Sequence, residues 1–270
     1  MSKIIAVISG KGGVGKTTTT ANVGLGIALN RKQCVVVDFD IGQRNLDMIL
    51  GLENRVVYDM VQVMDGEVTL DQALIKSKAS RNLFFLPASQ TKDKSVLDSE
   101  KIGKMLQELK EKFEYVLLDA PAGIESGFEH TIEFADAALV VVNPEVSSIR
   151  DSDRAIGILD SKSKKAIAGE DVEKFLIINR FDADMVEKGE MLNSEDILDI
   201  LSIELIGIVP EDRGVIDASN QGQPIILNPK AEAGKAYTRI AKRLTGEKSP
   251  IVEPKPRNSG IFGKLKGIFS

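Results

Sequence analysis

The sequence predicts an α/β domain with a mostly parallel, doubly wound sheet of about seven or eight strands, flanked by helices. The chain has 270 residues, 43% of them hydrophobic, which is enough to fill the core of such a domain. Its short strand-like segments are apolar throughout, as strands covered on both faces must be. Helical patterns lie between these segments, and this alternation indicates right-handed βαβ units and a parallel sheet.

Seven segments carry the strand pattern and five carry the helix pattern. The predicted strands are residues 4–8, 34–38, 83–86, 115–119, 137–142, 175–179 and 205–209. The predicted helices are residues 16–30, 102–113, 153–164, 195–201 and 233–244. Ligands of a parallel sheet bind beyond the carboxyl ends of its strands. We therefore expect the chemistry in the loops that follow Ile8, Asp38, Asp119, Asn179 and Val209.

Composition excludes several classes of protein. The formal net charge of −5 argues against a surface that binds nucleic acid over its whole extent. Cys34 is the only cysteine and His130 the only histidine, so neither an intrachain disulfide nor a Cys/His zinc site can form. The longest apolar run, residues 137–142, is far shorter than the ~20 residues of a membrane-spanning helix. We expect a cytoplasmic protein of a reducing compartment.

The chain is interpreted as one domain followed by a tail. No break in composition interrupts residues 1–245, which are predicted to form the domain. Residues 246–260 are rich in proline, serine and charge and are predicted to be a flexible linker that buries nothing. Residues 261–270 are apolar and basic and are predicted to be an amphipathic membrane-targeting helix.

A phosphate-binding loop follows the first predicted strand. Residues 10–18 satisfy the pattern G-x-x-x-x-G-K-[ST] between a strand and a helix, which predicts a single P-loop NTPase domain. Backbone N–H groups of the glycine-rich turn and the dipole of the next helix would hold a triphosphate. Lys16 would reach the β- and γ-phosphates, and the Thr17 hydroxyl would bind Mg²⁺. The predicted nucleotide-binding residues of the loop are Lys11, Gly12, Gly13, Val14, Gly15, Lys16, Thr17 and Thr18.

Two carboxylates end apolar strands beside this loop. Asp38 and Asp119 are therefore predicted to hold Mg²⁺, directly or through its water shell, with Asp119 in the Walker B position. Asp40, two residues beyond Asp38, is placed to orient or deprotonate the attacking water. We predict Lys11, Lys16 and Asp40 as the catalytic residues.

An additional lysine stands at the front of the loop. The run from Lys11 to Thr17 resembles the deviant Walker A loop of the ATPase class that includes the MinD, ParA and nitrogenase iron protein families. In that class the early lysine reaches across a nucleotide-sandwich homodimer to the partner's phosphates. The resemblance implies that Lys11 acts in trans and that hydrolysis depends on dimerisation.

The choice of nucleotide depends on residues 179–182. Asn-Arg-Phe-Asp is similar to the guanine-reading N-K-x-D of GTPases, but Arg180 replaces the lysine and Gly123 stands four residues after Asp119 instead of three. The deviant Walker A class implies that Asn179 pairs with adenine. In the same class the loop of residues 210–212 closes over the base. The predicted base-side residues are Asn179, Arg180, Pro210 and Asp212, and the predicted cofactors are ATP and Mg²⁺.

Longer stretches narrow the resemblance to the MinD family of bacterial division-site proteins. They are residues 38–47, 56–59, 86–91 and 143–154, and the similarity extends over essentially the full chain. It implies a MinC-like division inhibitor and a MinE-like activator as partners, with no specific nucleic acid. Gln43, Asn54 and a sparsely basic tail depart from the usual pattern. A ParA-like DNA-partitioning ATPase is the alternative function, and a cluster-carrying redox protein would need more cysteines than Cys34.

The tail has the pattern of a membrane anchor. A helix over residues 261–269 would place the apolar side chains in a stripe of roughly 120°, flanked by lysines. The predicted membrane-binding residues are Ile261, Phe262, Lys264, Leu265, Lys266, Ile268 and Phe269. Residues 255–270 carry four positive and no negative side chains, which suits anionic lipid on the inner face of the cell membrane. The proline-rich linker disfavours docking of the tail on its own domain. One tail should bind weakly, whereas two tails on a dimer gain about 10²–10⁴ in avidity.

Overall fold

A computed structural model describes residues 2–124 and 127–256 of the chain. The predicted α/β fold is confirmed, because the strands of the described residues pair in one sheet flanked by helices. The strands are β1 Lys3–Ile8, β2 Cys34–Asp38, β3 Ile75–Lys76, β4 Leu83–Leu86, β5 Tyr115–Asp119, β6 Ala137–Val142, β7 Glu173–Phe181 and β8 Glu204–Pro210. Their order is β3-β4-β2-β5-β1-β6-β7-β8, with every pair parallel except β3 and β4.

Helices connect the strands and cover both faces of the sheet. They are α1 Lys16–Leu29, α2 Leu46–Leu50, α3 Met60–Met64, α4 Leu70–Ala73, α5 Ser99–Lys112, α6 Phe128–Ile132, α7 Val146–Lys162, α8 Lys164–Ile167, α9 Ala183–Glu187, α10 Ser194–Leu201, α11 Gly214–Asn220 and α12 Glu232–Leu244. Short 3₁₀ segments lie at Glu53–Arg55, Lys94–Val96 and Ile225–Leu227.

Strands such as β6 are apolar throughout because both sides of the sheet are buried. On one side, Val36 and Leu117 belong to a core with α1 and α12. On the other side, Val35 and Val37 pack with α3 and α5, and Val140 packs with α6, α7 and α10. Alternate residues of one strand thus serve two cores, and the carboxyl edge between them is left for the ligand-binding loops.

Several observed elements differ from the predicted ones, and three of them have a clear reason. Helix α7 begins at Val146, seven residues before the predicted start, because its inward positions Ser148 and Ser152 are polar and hide the apolar period. Helix α5 begins at Ser99 because the Asp98 carboxylate caps it by accepting from the Lys101 N–H. Strand β3 was not predicted, since two residues are too short to form a pattern.

The segment after α12 also differs from the prediction. Instead of a linker without contacts, residues 250–255 lie against the domain, and we call them the C-terminal strap. Arg243 donates from Nε to the Ile206 carbonyl of β8 (2.9 Å) and from Nη1 to the Pro250 carbonyl (3.4 Å). The Ser194 hydroxyl at the start of α10 donates to Glu253 Oε1 (2.9 Å). Residues 261–270, predicted to bind the membrane, lie outside the described residues, among which no helix is long and apolar enough to span a bilayer.

Candidate nucleotide site

The glycine-rich loop lies between the carboxyl end of β1 and the amino end of α1. Gly13 and Gly15 have φ of 77° and 96°, in the left-handed region that favours glycine. A Cβ at Gly15 would lie 2.4 Å from Asn179 Nδ2, so the loop tolerates no side chain there. Asn179 Nδ2 in turn donates to the Val14 carbonyl at 2.7 Å. The loop is therefore held in shape by a side chain of β7, and a Cβ at Gly13 would meet nothing within 4 Å, which leaves that side of the turn open.

Lys16 is the buried cation of the site. Its side chain is 6% exposed and donates from Nζ to Ser9 Oγ at 2.9 Å. Burial lowers the pKa of Lys16, while the nearby charges of Asp119 and Asp40 raise it. A lysine at the first turn of α1, with ammonium hydrogens directed at the loop region, fits the phosphate-binding role predicted for it.

Asp38 and Asp119 lie side by side at the ends of β2 and β5, where they form a register pair. Asp38 accepts from the Asp40 N–H at 2.9 Å and from the Leu46 N–H at 3.3 Å. Asp119 Oδ1 accepts from the Thr20 hydroxyl at 2.8 Å. The exposed fraction of these carboxylates is 0% and 1%, so both are removed from solvent.

Burial and mutual repulsion make this pair unfavourable when it is ionised and unliganded. Burial raises the pKa of Asp119 to about 6, against the lowering effect of the Thr17 and Thr20 hydroxyls. Burial and the charge of Asp119 raise the pKa of Asp38 well above its usual value. Carboxylate and hydroxyl oxygens are the donors that Mg²⁺ prefers, and a divalent cation would relieve the repulsion. Thr17, Asp38 and Asp119 therefore fit the metal role predicted for them.

The described residues do not form a metal cage by themselves. No group of three or more His, Cys, Asp or Glu side chains converges within residues 2–124 and 127–256. Mg²⁺ usually takes one or two carboxylates and completes its octahedron with water and substrate phosphate. The pair of Asp38 and Asp119 with Thr17 matches that mode of binding.

Asp40 lies in the loop after β2, close to Lys16. Burial raises the pKa of the half-buried Asp40 carboxyl, while the charges of Lys94 and Lys16 lower it. The same loop is held by an ion pair between Arg44 Nε and Asp47 Oδ2 at 2.7 Å, in which Asp47 is 1% exposed. The carboxylate of Asp40 is thus on a braced loop beside the phosphate-binding lysine.

Lys11 is directed away from Lys16. Its side chain is 41% exposed, and Nζ lies 2.9 Å from Glu145 Oε2 and 3.1 Å from Ser147 Oγ, at the start of α7. Within one chain, Lys11 therefore contacts the domain surface and not the loop's own lysine. Its predicted role in trans stays a prediction.

Of the four predicted base-side residues, only Pro210 and Asp212 line a common cavity. Arg180 is exposed, with a φ of 56° at an irregularity in the pairing of β7 with β8. Asn179 lies within β7 and not at its end as predicted, because the strand continues to Phe181. The Asp212 carboxylate braces its own loop by accepting from the Gly214 and Ala233 N–H groups at 2.9 and 3.3 Å. Pro210 and Asp212 line a cavity of about 810 Å³ beyond β7 and β8.

Several residues of the site were missed in the sequence. Thr20 lies one helical turn after Lys16 and so shares its face, a signal that was available. No sequence pattern indicated Ser9 or Glu145, whose contacts with Lys16 and Lys11 are seen only in the folded chain. A Cβ at Gly10 would lie 1.9 Å from the Asp151 backbone, so the loop and α7 meet at a position that only glycine fits.

Comparisons with known proteins agree with this geometry. The chain matches the AAA domain family over residues 2–165. It is 56% identical to the septum site-determining protein MinD of Helicobacter pylori over 270 residues, all of both chains. The MinC:MinD cell division protein complex of Aquifex aeolicus superposes with a TM-score of 0.85 at 46% identity, covering 94% of this chain and 100% of that one. MinD of Pyrococcus horikoshii complexed with Mg-ADP gives 0.79 at 26% identity, covering 90% and 96%. The chain therefore belongs to the MinD family of septum site-determining ATPases.

Proposed function

We propose that this ATPase hydrolyses ATP with Mg²⁺ only as a dimer, and that its nucleotide state controls its attachment to the cell membrane and its recruitment of a division inhibitor. The observation that carries the proposal is the meeting of buried Lys16 with the buried carboxylates of Asp38 and Asp119 at one edge of the sheet. One cation for phosphate beside two carboxylates for a metal suits phosphoryl transfer. The Mg-ADP named for the Pyrococcus horikoshii protein supports the same cofactors here.

Hydrolysis uses the loop residues and Asp40. Lys16 and the N–H groups of the loop hold the phosphates, and Mg²⁺, when bound, neutralises charge on them. Asp40 orients the attacking water and accepts its proton. Burial raises the pKa of the Asp40 carboxyl, which makes it a stronger base than an ordinary aspartate.

In the proposed dimer, Lys11 of one chain supplies an additional cation to the phosphates bound by the other chain. The pair of Lys11 with Glu145 is half-exposed, and such pairs contribute only about 0–1 kcal/mol. Lys11 can therefore leave Glu145 at little cost and reach the phosphates bound by a second copy. Val146, which is 56% exposed beside these residues, adds apolar area to the same surface.

Membrane attachment follows from avidity. Full burial of one large apolar side chain gives about 1.5–3 kcal/mol, and interfacial insertion gives less. Ordering each residue of a coil opposes this by about 1–2 kcal/mol, which helix hydrogen bonds recover in part. A single tail thus binds weakly, and ATP-driven dimerisation makes the binding useful by joining two tails. Hydrolysis then releases the protein.

Two protein partners complete the proposal. The solved MinC:MinD complex of Aquifex aeolicus supports a MinC-like inhibitor as the recruited protein. A MinE-like activator, implied by the family resemblance, would stimulate hydrolysis and so detachment. Both would recognise the dimer.

Cosedimentation with anionic liposomes tests the proposal. The full chain should pellet with vesicles in ATP or a slowly hydrolysed analogue and stay in solution in ADP. Leu265→Asp should abolish this binding, because Leu265 belongs to the predicted apolar stripe. Gly267→Asp is the matched control, since it adds the same charge on the opposite face of the predicted helix and should retain most binding. Equal pelleting in ATP and ADP would contradict the nucleotide switch, and equal behaviour of the two variants would contradict the anchor.

A further inference from the structure

The cavity beyond β7 and β8 has walls from two parts of the chain. One part is the pair of loops that follow these strands, represented by Phe181, Pro210 and Asp212. The other part is the C-terminal strap, which contributes Val252, Pro254 and Lys255. A segment with the composition of a linker therefore forms one side of a cavity of about 810 Å³ at the carboxyl edge of the sheet, where ligands of such sheets bind.

The strap is held in this position by side chains of the domain. The Ser194 hydroxyl, on a residue 7% exposed, donates at 2.9 Å to Glu253, which lies between the cavity-lining residues Val252 and Pro254. Arg243 bridges the Ile206 carbonyl of β8 and the Pro250 carbonyl at the beginning of the strap. The Val252 side chain is left 44% exposed, so it has apolar area that a ligand can still cover.

The cavity is close to the phosphate loop through β7. Asn179 donates to the Val14 carbonyl of the loop, and Phe181, two residues further along the same strand, lines the cavity. A nucleotide whose phosphates lie in the loop would therefore have room to extend its base past Asn179 toward the cavity. The volume is within the roughly 300–1,000 Å³ of small-molecule sites, and proline and valine provide apolar faces for a flat ring.

We propose that the C-terminal strap is part of the nucleotide site, with Val252 and Pro254 forming its outer wall against the purine base. This inference rests on the proposed function. Bound nucleotide and docked strap then stabilise each other, since each covers apolar surface of the other, and the coupling is reciprocal.

Matched variants of the full chain test the role of the strap. Val252 and Ile251 are neighbours with the same exposed fraction of 44%, but Val252 lines the cavity and Ile251 does not. By calorimetry with Mg-ADP, Val252→Ser should raise the dissociation constant about 3- to 10-fold, whereas Ile251→Ser should change it less than about twofold. Ser194→Ala, which removes the anchor of Glu253 while Asn193 still caps α10, should also weaken binding.

Hydrogen exchange gives a readout independent of affinity. Mg-ADP should slow exchange of the amides of residues 251–253 and 255 in the wild type, and Ser194→Ala should speed it without nucleotide. Two results would overturn the inference if the wild type still binds nucleotide. One is equal dissociation constants for Val252→Ser and Ile251→Ser, and the other is a strap exchange rate that Mg-ADP does not change. A wild-type chain that fails to bind Mg-ADP would instead overturn the proposed function.

Discussion

The buried carboxylate pair should make the nucleotide-free protein less stable as the pH rises. Burial raises the pKa of Asp119 from 3.8 to about 6. Over this interval the folded chain holds a proton that the unfolded chain has released, so the free energy of unfolding falls with increasing pH. The part of this penalty that comes from Asp119 is absent below about pH 4, grows through pH 6, and is complete above it at about 3 kcal/mol. Asp38, whose pKa is raised as well, adds to the fall in stability.

Asp119→Asn should remove this penalty with little loss of contacts. The Thr20 hydroxyl, which lies 2.8 Å from Asp119 Oδ1 and 3.0 Å from the Lys16 carbonyl, can donate to the carbonyl and accept from the new amide. Without nucleotide, the variant should be up to about 3 kcal/mol more stable than the wild type at about pH 7 and equally stable near pH 4. It should also lose ATPase activity, since a neutral amide cannot replace the carboxylate toward Mg²⁺.

Urea unfolding from about pH 4 to about pH 7 measures the effect. Asp199→Asn, which changes an exposed carboxylate of α10 in the same way, is the control and should follow the wild type. Mg-ADP should flatten the wild-type dependence by placing positive charge beside the pair. If the wild type and Asp119→Asn lose stability in parallel over this range, then ionisation of the buried Asp119 carboxyl does not cause the loss of stability.

Three further substitutions separate the steps of the cycle. Glu145→Gln releases Lys11 from its pair in each of the two chains and should lower the protein concentration needed for ATP-driven dimerisation by at most about 30-fold, measured by sedimentation. Asn179→Ala leaves the buried Val14 carbonyl without its donor and should weaken Mg-ADP binding by about 10-fold, measured by calorimetry; unchanged affinity would mean that the loop keeps its shape without it. Asp40→Ala should bind ATP and stop turnover, so normal phosphate release would remove Asp40 from the mechanism.

The central sheet was predictable because the apolar composition of its strands indicates that they are buried on both faces. The six residues of β6 are all apolar and all buried, which only a strand covered on two faces requires. The start of α7 was not predictable in this way, since Ser148 and Ser152 are buried polar residues on its inner face. Hydroxyl groups that satisfy backbone N–H groups, as Ser148 does for Asn143, fill core positions without an apolar signal.

The site was predictable where its chemistry is local in sequence. The phosphate loop and the strand-end carboxylates are adjacent to the elements that position them, so pattern and spacing predicted where in the fold they lie. Contacts across the fold carry no such signal. Lys11 pairs with Glu145 across 134 residues, and Asn179 closes the loop across 165. The strap was missed for a related reason, because its two anchors are side chains of α10 and α12.

The two lysines of the loop are suited to different roles because their surroundings differ. Lys16 is buried against carboxylates, so its ammonium is committed to the site of its own chain, and moving it would leave Asp119 without its compensating charge. Lys11 is held by an exposed ion pair that contributes little to stability, so it can change partners when a second chain offers phosphate. Under the proposed function, one short loop would hold nucleotide through Lys16 and leave Lys11 available to the phosphates of a second chain, so that hydrolysis would follow pairing.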